Sequence, residues 1–596
     1  MKTALEWKKY YSSPEFREHY IYDKNDLGVN CTDSGTSFKL WSPSADSVTL
    51  NLYQEGNGGD AYAHISMKKE DKGVWSWFSG GNLHGVYYDY SLLFGGKSVR
   101  SADPYAYACG VNGRRSMAVD LKRTDPEGWE VDRAPEKGTE QIIYELHVKE
   151  FSWDPSGGFP EQYRGKYKAF TCPDTTLFGD GVHPTGMRYM KELGVTHVQI
   201  MPAYDYGSVN EEGKDTEFNW GYDPVNYNVP EGSYSTDPAH GEVRIREMKE
   251  MIQALHSQGF RVIMDVVYNH TYSLDSWFQR TAPWYFYRVF DDGRISNGSA
   301  CGNDVASERE MCAKYILESV MYWTEEYHID GFRFDLMGLL DVDLMNRIRM
   351  ELDARYGKGE KILFGEPWAA AETAMEGDAV PALKKNIGLL DENIGMFCDA
   401  AELMRLNRMA AALYMTCQGN LFLLSGEEFA RTKNGLEDSF NAPIALNRLD
   451  WKQAWENQSL VEYYKGLIAL RTRLPGLCDK SSRASERIGS VEISDGLVSF
   501  EVDNRSETGC RKWDRLKIIY NRTREYKKVS AEGERWTVLC DGEDSRIWTS
   551  EKHVSPDLQA APQSVLILGR LAEKMEGGTG SMKWIYGKQD WKTFER

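Results

Sequence analysis

The first part of the chain alternates apolar and polar residues with a period of two. The clearest runs are Ser37–Trp41, Ser47–Leu52, Val74–Phe78 and Val86–Tyr90, with Pro and Gly between them. This period is typical of strands with one buried face, and the spacing of the runs predicts a β-sandwich. We place the sandwich at residues 22–136, after an N-terminal extension at residues 1–21.

From residue 137 to residue 478 the pattern changes to continuous apolar runs that alternate with amphipathic stretches. The apolar runs are Ile142–Val148, Thr196–Ala203, Arg261–Asn269, Gly331–Met337 and Lys361–Trp368. Gly241–Gln258 and Met311–Tyr327 have the helical period of 3.6. This α/β alternation, over such a length, favours a (β/α)8 TIM-type barrel. A doubly wound sheet is the alternative, but no G-x-G-x-x-G follows any of these strands.

Short β runs return after the barrel, and they predict a second β-sandwich at residues 479–571. Residues 572–596 lack periodicity and are predicted to be a tail. With 596 residues, several domains are expected. The net charge of −19 gives no support for a nucleic-acid or anionic-membrane partner.

The beginning of the chain has no apolar signal segment, and no stretch is apolar enough to cross a membrane. The 10 Cys form no C-x-x-C pair, which argues against a zinc ribbon or a redox pair and favours free thiols. We therefore expect a cytoplasmic protein, and we expect it to be a monomer.

Polar residues gather where the predicted barrel strands end. Asp265, His270, Arg333, Asp335 and Glu366 all follow or end apolar runs. In a barrel these positions surround the active-site mouth. An Asp and a Glu on neighbouring strand ends are the pair that glycoside hydrolysis needs, one as nucleophile and one as proton donor.

The neighbours of the two acids fit this division of roles. Arg333 shares a strand face with Asp335 and would keep that carboxylate ionised. Glu366 precedes the apolar Pro367 and Trp368, which favour a protonated carboxyl. Each residue taken alone could equally be a buried structural ion pair, but the whole set at successive strand ends favours catalysis.

Several motifs resemble those of glycoside hydrolase family 13, and in particular its type I pullulanases. DVVYNH at residues 265–270, GFRFDLMG at 331–338 and GEPW at 365–368 resemble three conserved regions of that family. FNWGYDPVNYNVPEGSYS from Phe218 is similar to the pullulanase hallmark, as are the stretches 296–310 and 425–443. The first sandwich resembles the carbohydrate-binding module of debranching enzymes. The likeness covers about residues 22–570.

The resemblance implies a role for each matched position. Asp335 would be the nucleophile and Glu366 the acid/base, in a retaining cleavage of α-1,6 branch linkages in pullulan, starch or glycogen. The implied substrate-binding residues are Tyr222, Asp265, His270, Arg333 and Trp368, with Asp265 also a structural residue at the floor of the site. No cofactor is implied; calcium binding occurs in the family, but no D-x-D-x-D-G loop calls for it here.

Trp75 and Trp77, on one face of a sandwich strand, are open to two interpretations. They either bind glucan or pack in the sandwich core.

One family region has no match in this chain. The His-Asp-Asn run of the seventh barrel strand, whose Asp binds substrate hydroxyls, is missing, because His553 is the only His after Glu366. Too few residues separate the stretch ending at Ala400 from the last helix–strand pair to form another βα unit. The sequence therefore predicts a barrel incomplete near strand 7.

Three explanations compete for the missing region: an internal deletion or faulty gene model, a degenerate glucan binder, and replacement of the lost carboxylate by Asp391 or Asp399. Isoamylase or branching activity is the alternative within the enzymes, and a catalytically impaired glucan-binding homologue is the alternative outside them.

Overall fold

A computed structural model describes most of the chain, in two compact units. The described residues are 2–138, 141–214, 216–397, 407–433, 436, 438–489, 491–505, 512–523, 525–529, 536–550 and 558–572. The first unit is Met1–Thr472 and the second is Arg473–Arg596. The predicted tail lies outside the described residues, apart from Ala572.

Two short helices, α1 (Ala4–Tyr11) and α2 (Pro14–Tyr20), form the N-terminal extension. Thr3 caps α1 in a reciprocal capping box with Glu6, and Ser13 caps α2 before a Pro at its first turn. Their buried aromatic side chains pack on the barrel part of the unit, where the Tyr11 hydroxyl donates to the carbonyl of Pro283 at 2.8 Å. The extension is therefore an integral layer of the first unit.

The first sandwich has nine strands in two sheets. They are β1 (Gly28–Thr32), β2 (Gly35–Trp41), β3 (Ser47–Tyr53), β4 (Ala63–Ser66), β5 (Lys68–Lys69), β6 (Val74–Ser79), β7 (Tyr87–Phe94), β8 (Lys97–Ser101) and β9 (Ser116–Met117). The sheets have the orders β1-β2-β6-β5 and β4-β3-β7-β8, with β9 beside β7. Trp75 is 4% exposed in the core between them, and Trp77 packs against that core. The core interpretation of these two residues is correct.

The barrel part, after the sandwich, contains a parallel sheet and an antiparallel pair. Its strands are β10 (Ile142–Leu146), β11 (His197–Ile200), β12 (Tyr204–Tyr206), β13 (Pro224–Pro230), β14 (Arg261–Val266), β15 (Gly331–Phe334), β16 (Ile362–Gly365), β17 (Ile394–Met396) and β18 (Leu421–Leu424). β12 pairs with β13, and the other seven run parallel in the order β17-β16-β15-β14-β11-β10-β18. The first strand thus lies between the second and the last, as in a barrel.

Helices lie between and after these strands. They are α3 (Val148–Ser152), α4 (Gly186–Leu193), α5 (Gly241–Ser257), α6 (Trp277–Thr281), α7 (Glu310–Glu326), α8 (Val342–Tyr356), α9 (Asn407–Met415), α10 (Ile444–Asn447), α11 (Trp451–Glu456) and α12 (Gln458–Arg471). The long helices α5 and α7 match the predicted amphipathic stretches, since one apolar stripe of each faces the sheet.

In the described residues, the wall of this barrel has seven strands, one fewer than a (β/α)8 barrel. No ladder joins β17 to β18 in the part of the chain that the structure describes, and only the nine residues 398–406 separate Phe397 from α9. The prediction of a barrel incomplete near strand 7 is confirmed. Inside the barrel the ring centroid of Phe397 lies 5.0 Å from that of Phe422 and 5.6 Å from that of Phe364. Aromatic rings from β16, β18 and the end of β17 therefore meet beside the break.

The structure contradicts the suggestion that Asp391 replaces the lost carboxylate. Asp391 is exposed at the amino end of β17, where its side chain accepts hydrogen bonds from Asn393. Active sites of barrels form at the opposite, carboxyl ends of the strands. Asp399 lies outside the described residues.

The second unit begins with the short helix α13 (Pro475–Cys478) and continues as β structure. Its strands are β19 (Glu492–Ser494), β20 (Leu497–Asp503), β21 (Trp513–Asn521), β22 (Lys527–Lys528), β23 (Trp536–Cys540), β24 (Gln559–Ala560) and β25 (Ser564–Leu571). Five of them form an antiparallel sheet in the order β19-β20-β21-β25-β23. Across the described ranges of both units, no helix has the length and apolarity to span a bilayer.

A buried histidine ties α5 to the linker before the barrel. His256, at the end of α5, is 6% exposed, and its two ring nitrogens lie 2.8 Å from Asp132 Oδ2 and 3.0 Å from Asp330 Oδ2. Although burial alone would lower the pKa of His256, the two carboxylates raise it to about 9. The imidazolium form therefore stabilises the folded protein.

We expect the contribution of His256 to stability to depend on pH. Because the pKa of His256 is higher in the folded state, its protonation stabilises the protein fully below the unfolded-state pKa of about 6.5. This stabilisation is lost as the pH rises through about 9. His256→Asn should therefore lower the melting temperature of the first unit more at pH 6 than at pH 9.5, measured by calorimetry. His19→Asn, at an exposed position, is the control. An equal loss at both pH values would show that His256 is not held as a cation.

Candidate active site

The carboxyl ends of three adjacent strands bring together the polar residues that the sequence singles out. β14, β15 and β16 pair in parallel register, with Asp265 opposite Arg333 and Arg333 opposite Phe364. Asp335 and Glu366 each come directly after their strand, so both side chains reach the same mouth. The observed strands are shorter than the apolar runs from which they were predicted, because the backbone leaves the sheet at these site residues.

Arg333 is the centre of the site. Its Nη1 donates to Asp265 Oδ1 at 3.0 Å and to Asp335 Oδ1 at 2.9 Å, while its Nη2 donates to Glu366 Oε1 at 2.5 Å. Arg333 is 6% exposed, so these charge-assisted bonds lie largely away from water. Sequence reasoning paired Arg333 with Asp335 alone, whereas the structure places both predicted catalytic acids on one guanidinium.

The carboxylate of Asp335 is held from two sides. Asn269 Nδ2 donates to Asp335 Oδ2 at 2.9 Å, opposite the bond from Arg333. After Asp335 the chain turns sharply through Leu336, which has a left-handed backbone with φ of 38°. This turn points the Leu336 N–H at Glu366 Oε2, 3.0 Å away. The turn needs Gly338, because a Cβ there would lie 2.5 Å from the Trp368 carbonyl oxygen.

The groups around Glu366 shift the pKa of its carboxyl in opposite directions. Burial raises the pKa of its carboxyl and the charge of Asp335 adds to this, while Arg333 and the Leu336 N–H lower it. The net direction is upward. The sequence predicted a protonated Glu366 from Pro367 and Trp368; the structure attributes the upward shift to loss of solvent and to a second carboxylate.

Asp265 and His270 form the floor beside Tyr222. Asp265 is fully buried and accepts from the Tyr222 hydroxyl at 2.8 Å as well as from Arg333. His270 is 2% exposed and its Nε2 lies 2.9 Å from the Tyr222 carbonyl oxygen. The Arg333 guanidinium lies 5.7 Å from the centre of the Tyr222 ring. These contacts fix the Tyr222 ring over the floor, and the direct sugar contacts of Asp265 and His270 stay predictions.

Aromatic side chains lie at the rim. Trp368 is 38% exposed, and its ring centroid lies 6.3 Å from that of Phe397. Phe397 also lies 5.8 Å from the Arg333 guanidinium. Exposed rings of this kind present flat apolar faces that suit sugar rings.

Sequence reasoning missed two polar residues of the site, Glu145 on β10 and Gln199 on β11. Gln199 Nε2 lies 2.8 Å from Glu145 Oε1 and 3.3 Å from Asp265 Oδ2. The signal was a Glu in the apolar run Ile142–Val148 and a Gln in Thr196–Ala203. Burying a polar side chain in a parallel strand that is covered on both faces costs free energy. A role in a functional site accounts for such a residue.

Metal-ligating side chains gather at one other place in the described residues. Asp205, Glu211 and Glu231 are buried with ligand atoms within 4.8 Å of one another. Arg244 already binds this group, with Nη2 at 2.7 Å from Glu211 Oε2 and Nη1 at 3.5 Å from Asp205 Oδ1. Arg244 brings one positive charge to these three carboxyl groups, and burial raises the pKa of Glu231 to about 8; calcium binding here stays a prediction.

Two family models match the first unit. The model described as alpha amylase, catalytic domain, matches residues 179–288, and carbohydrate-binding module 48 (isoamylase N-terminal domain) matches residues 26–106. They fall on the barrel and on the first sandwich respectively.

Relatives with similar sequences carry the name pullulanase. The pullulanase of Bacillus subtilis (strain 168) is 31% identical, over 87% of this chain and 81% of its own length. Chloroplastic pullulanase 1 of Arabidopsis thaliana is 33% identical, over 64% of this chain and 44% of its own.

Solved structures give the same result. A pullulanase from Paenibacillus barengoltzii, in complex with maltohexaose and alpha-cyclodextrin, has a TM-score of 0.84 and 34% identity, covering 94% of this chain and 98% of its own. The pullulanase of Anoxybacillus sp. LM18-11 complexed with maltotetraose also has a TM-score of 0.84, at 29% identity. With the fold, the site and the sequence in agreement, this chain belongs to the pullulanases, the α-1,6-glucan debranching glycoside hydrolases of family 13.

Proposed function

We propose that this chain hydrolyses α-1,6 branch linkages in pullulan, starch or glycogen by a retaining double displacement. One observation carries the proposal: a single guanidinium, that of Arg333, donates to Asp335 and to Glu366 at once. Two carboxyl groups bridged by one small cation lie close together. Short separation is the geometry of retaining glycosidases, whereas inverting enzymes need room for a water between the acids.

The surroundings of the two acids support different roles. Asp335, held by Arg333 and Asn269, would attack the anomeric carbon and form a glycosyl-enzyme ester. Glu366, whose pKa burial raises, would donate a proton to the leaving oxygen and then accept one from the attacking water. Tyr222 and Trp368 would stack against the sugars on either side.

Other properties follow from the same site. The reaction as proposed needs no metal or organic cofactor, because acid, base and nucleophile all come from side chains. Cys31, Cys109, Cys172, Cys301 and Cys312 are free thiols, which supports action in the reducing cytoplasm. We propose a monomer as the active form, since every group of the site lies on one chain.

A glucan-binding protein without turnover is the second candidate. The break between β17 and β18 motivates it, since the family's substrate-binding Asp of strand 7 is missing. The intact contacts of Arg333 favour the hydrolase, because they hold both acids in place without a contribution from that strand.

Product analysis separates these activities. We expect purified protein to release maltotriose from pullulan, because only cleavage of the α-1,6 linkages gives that product. A branching enzyme would transfer chains without a rise in reducing ends. Binding of pullulan without any new reducing ends would support the second candidate.

Substrates with different leaving groups can distinguish the roles of the two acids. Asp335→Asn should lower kcat on pullulan and on an aryl α-maltotrioside alike, by about a thousandfold or more, because it removes the nucleophile. Glu366→Gln should lower kcat/KM on pullulan by about 10² to 10⁴ but affect kcat/KM on the aryl substrate much less, since a phenolate leaves without a proton in the step that forms the glycosyl-enzyme.

Asp391→Asn is the matched control for these variants, as an exposed acid at the far end of the barrel. Its steady-state kinetics should equal those of the wild type on both substrates. If Glu366→Gln lowered kcat/KM equally on both substrates, the assignment of Glu366 as the acid would be wrong.

A further inference from the structure

A loop between α6 and α7 contacts two of the segments that carry the site. It belongs to the stretch 296–310, which resembles the pullulanases, yet the hydrolytic roles assigned above use none of its residues. We call residues 296–305 the bridging loop. Asn303 and Asp304 are neighbours in it; Asn303 is 1% exposed and Asp304 is fully buried. Their side chains bind two different segments at the mouth of the barrel.

Asn303 binds the segment that follows β14. Its Nδ2 donates to the Thr271 carbonyl oxygen at 2.8 Å, and its Oδ1 accepts from the Thr271 N–H at 2.9 Å. The backbone adds a bond of 2.9 Å from the Val305 N–H to the Asn269 carbonyl oxygen. Asn269 is the residue whose side chain donates to Asp335. This side of the bridging loop therefore holds the support of the proposed nucleophile.

Asp304 binds the segment that follows β16. Its Oδ2 accepts from Thr373 Oγ1 at 2.9 Å and from Ser296 Oγ at 2.6 Å. Ser296 Oγ in turn accepts from the Ala374 N–H at 2.8 Å. The other side of the bridging loop is thereby tied to the chain shortly after Glu366.

The Asp304 carboxyl also gives the bridging loop its shape. Its Oδ2 accepts from the Gly298 N–H at 2.7 Å and its Oδ1 from the Ser299 N–H at 2.9 Å. The Gly298 carbonyl oxygen then accepts from the N–H of Ala370 at 2.8 Å, just after Trp368 in the chain. A carboxylate offers about four lone-pair sites, so Asp304 can accept all four of its bonds at once.

The bridging loop thus connects the ends of two strands that lie on either side of β15. β14 and β16 both pair with β15, which leads directly into Asp335. Displacing the Asp304 carboxyl would leave buried N–H and O–H groups without an acceptor, which costs free energy. Two adjacent side chains therefore restrain the segment of Asn269 relative to the segment of Glu366.

We propose that Asn303 and Asp304 are positioning residues of the hydrolytic site, which fix the separation of the two catalytic acids. The proposal rests on the function proposed above. Asn303 acts on the nucleophile through Asn269, and Asp304 acts on the proton donor through residues 370–374. Neither side chain touches the sugar in this role. Retaining hydrolysis needs its two acids at a short and constant separation, and small displacements lower the rate strongly.

Kinetics on two substrates test the separate roles of the two residues. Asp304→Ala releases the segment after Glu366, so kcat/KM on pullulan should fall about 10- to 100-fold and kcat/KM on the aryl α-maltotrioside much less. Asn303→Ala releases the support of the nucleophile and should lower kcat/KM on both substrates to a similar extent. Asp304→Asn can keep an acceptor oxygen at the Oδ2 position, so it should recover part of the activity on pullulan.

Backbone hydrogen exchange, measured by mass spectrometry on peptides, tests the positioning without any activity. Asp304→Ala should speed exchange in residues 370–374 and leave residues 269–273 close to the wild type. Asn303→Ala should do the reverse, because Thr271 loses its acceptor. If Asp304→Ala does not fold, Thr373→Val removes a single bond to Asp304 and should speed exchange in residues 370–374 to a smaller extent.

Asp391→Asn is the control in both experiments and should change neither the kinetics nor the exchange. The proposal is wrong if each variant speeds exchange equally in both segments, or in neither. It is also wrong if folded Asp304→Ala loses kcat/KM equally on both substrates. Segment-specific exchange in a wild type that does not cleave pullulan would refute the proposed function, while the hold of the bridging loop on its two segments would stand.

Discussion

One guanidinium organises the catalytic end of this protein. Arg333 donates to Asp265 below it and to Asp335 and Glu366 above it, while nearly excluded from water. Removing one partner from such a buried set leaves charge without compensation, which costs far more than the bonds themselves contribute. The floor and the two proposed catalytic acids are therefore coupled, and the position of each depends on the others.

Much of this arrangement could be predicted from sequence, because it is local to short segments. The apolar runs gave the strands, and polar residues after the runs gave the mouth of the barrel. The lack of a His-Asp-Asn run and the small number of residues between Phe397 and α9 predicted that one strand is missing. In each case the information lies within a few residues or in a chain length, both of which a sequence displays directly.

The rest depends on contacts between distant segments. No pattern near Glu145 reveals that Gln199 will bring its carboxyl into the network of Asp265, since the three residues come from three strands. The meeting of Phe397 and Phe422 beside the wall break is equally invisible, because each is an ordinary apolar residue in its own run. Likewise, the first twenty residues carry capping signals for helices but nothing that shows where those helices dock.

The order of the strands in the sheet also determines when each strand can pair with its neighbours during synthesis. β10 ends at Leu146, but one of its two neighbours, β18, begins only at Leu421. At translation rates of about 5–20 residues per second, one side of β10 waits on the order of tens of seconds for its partner. During that time the unpaired backbone N–H and C=O groups of β10 can pair with another chain. The sheet can therefore close on the β10 side only after residues 421–424 have been synthesised.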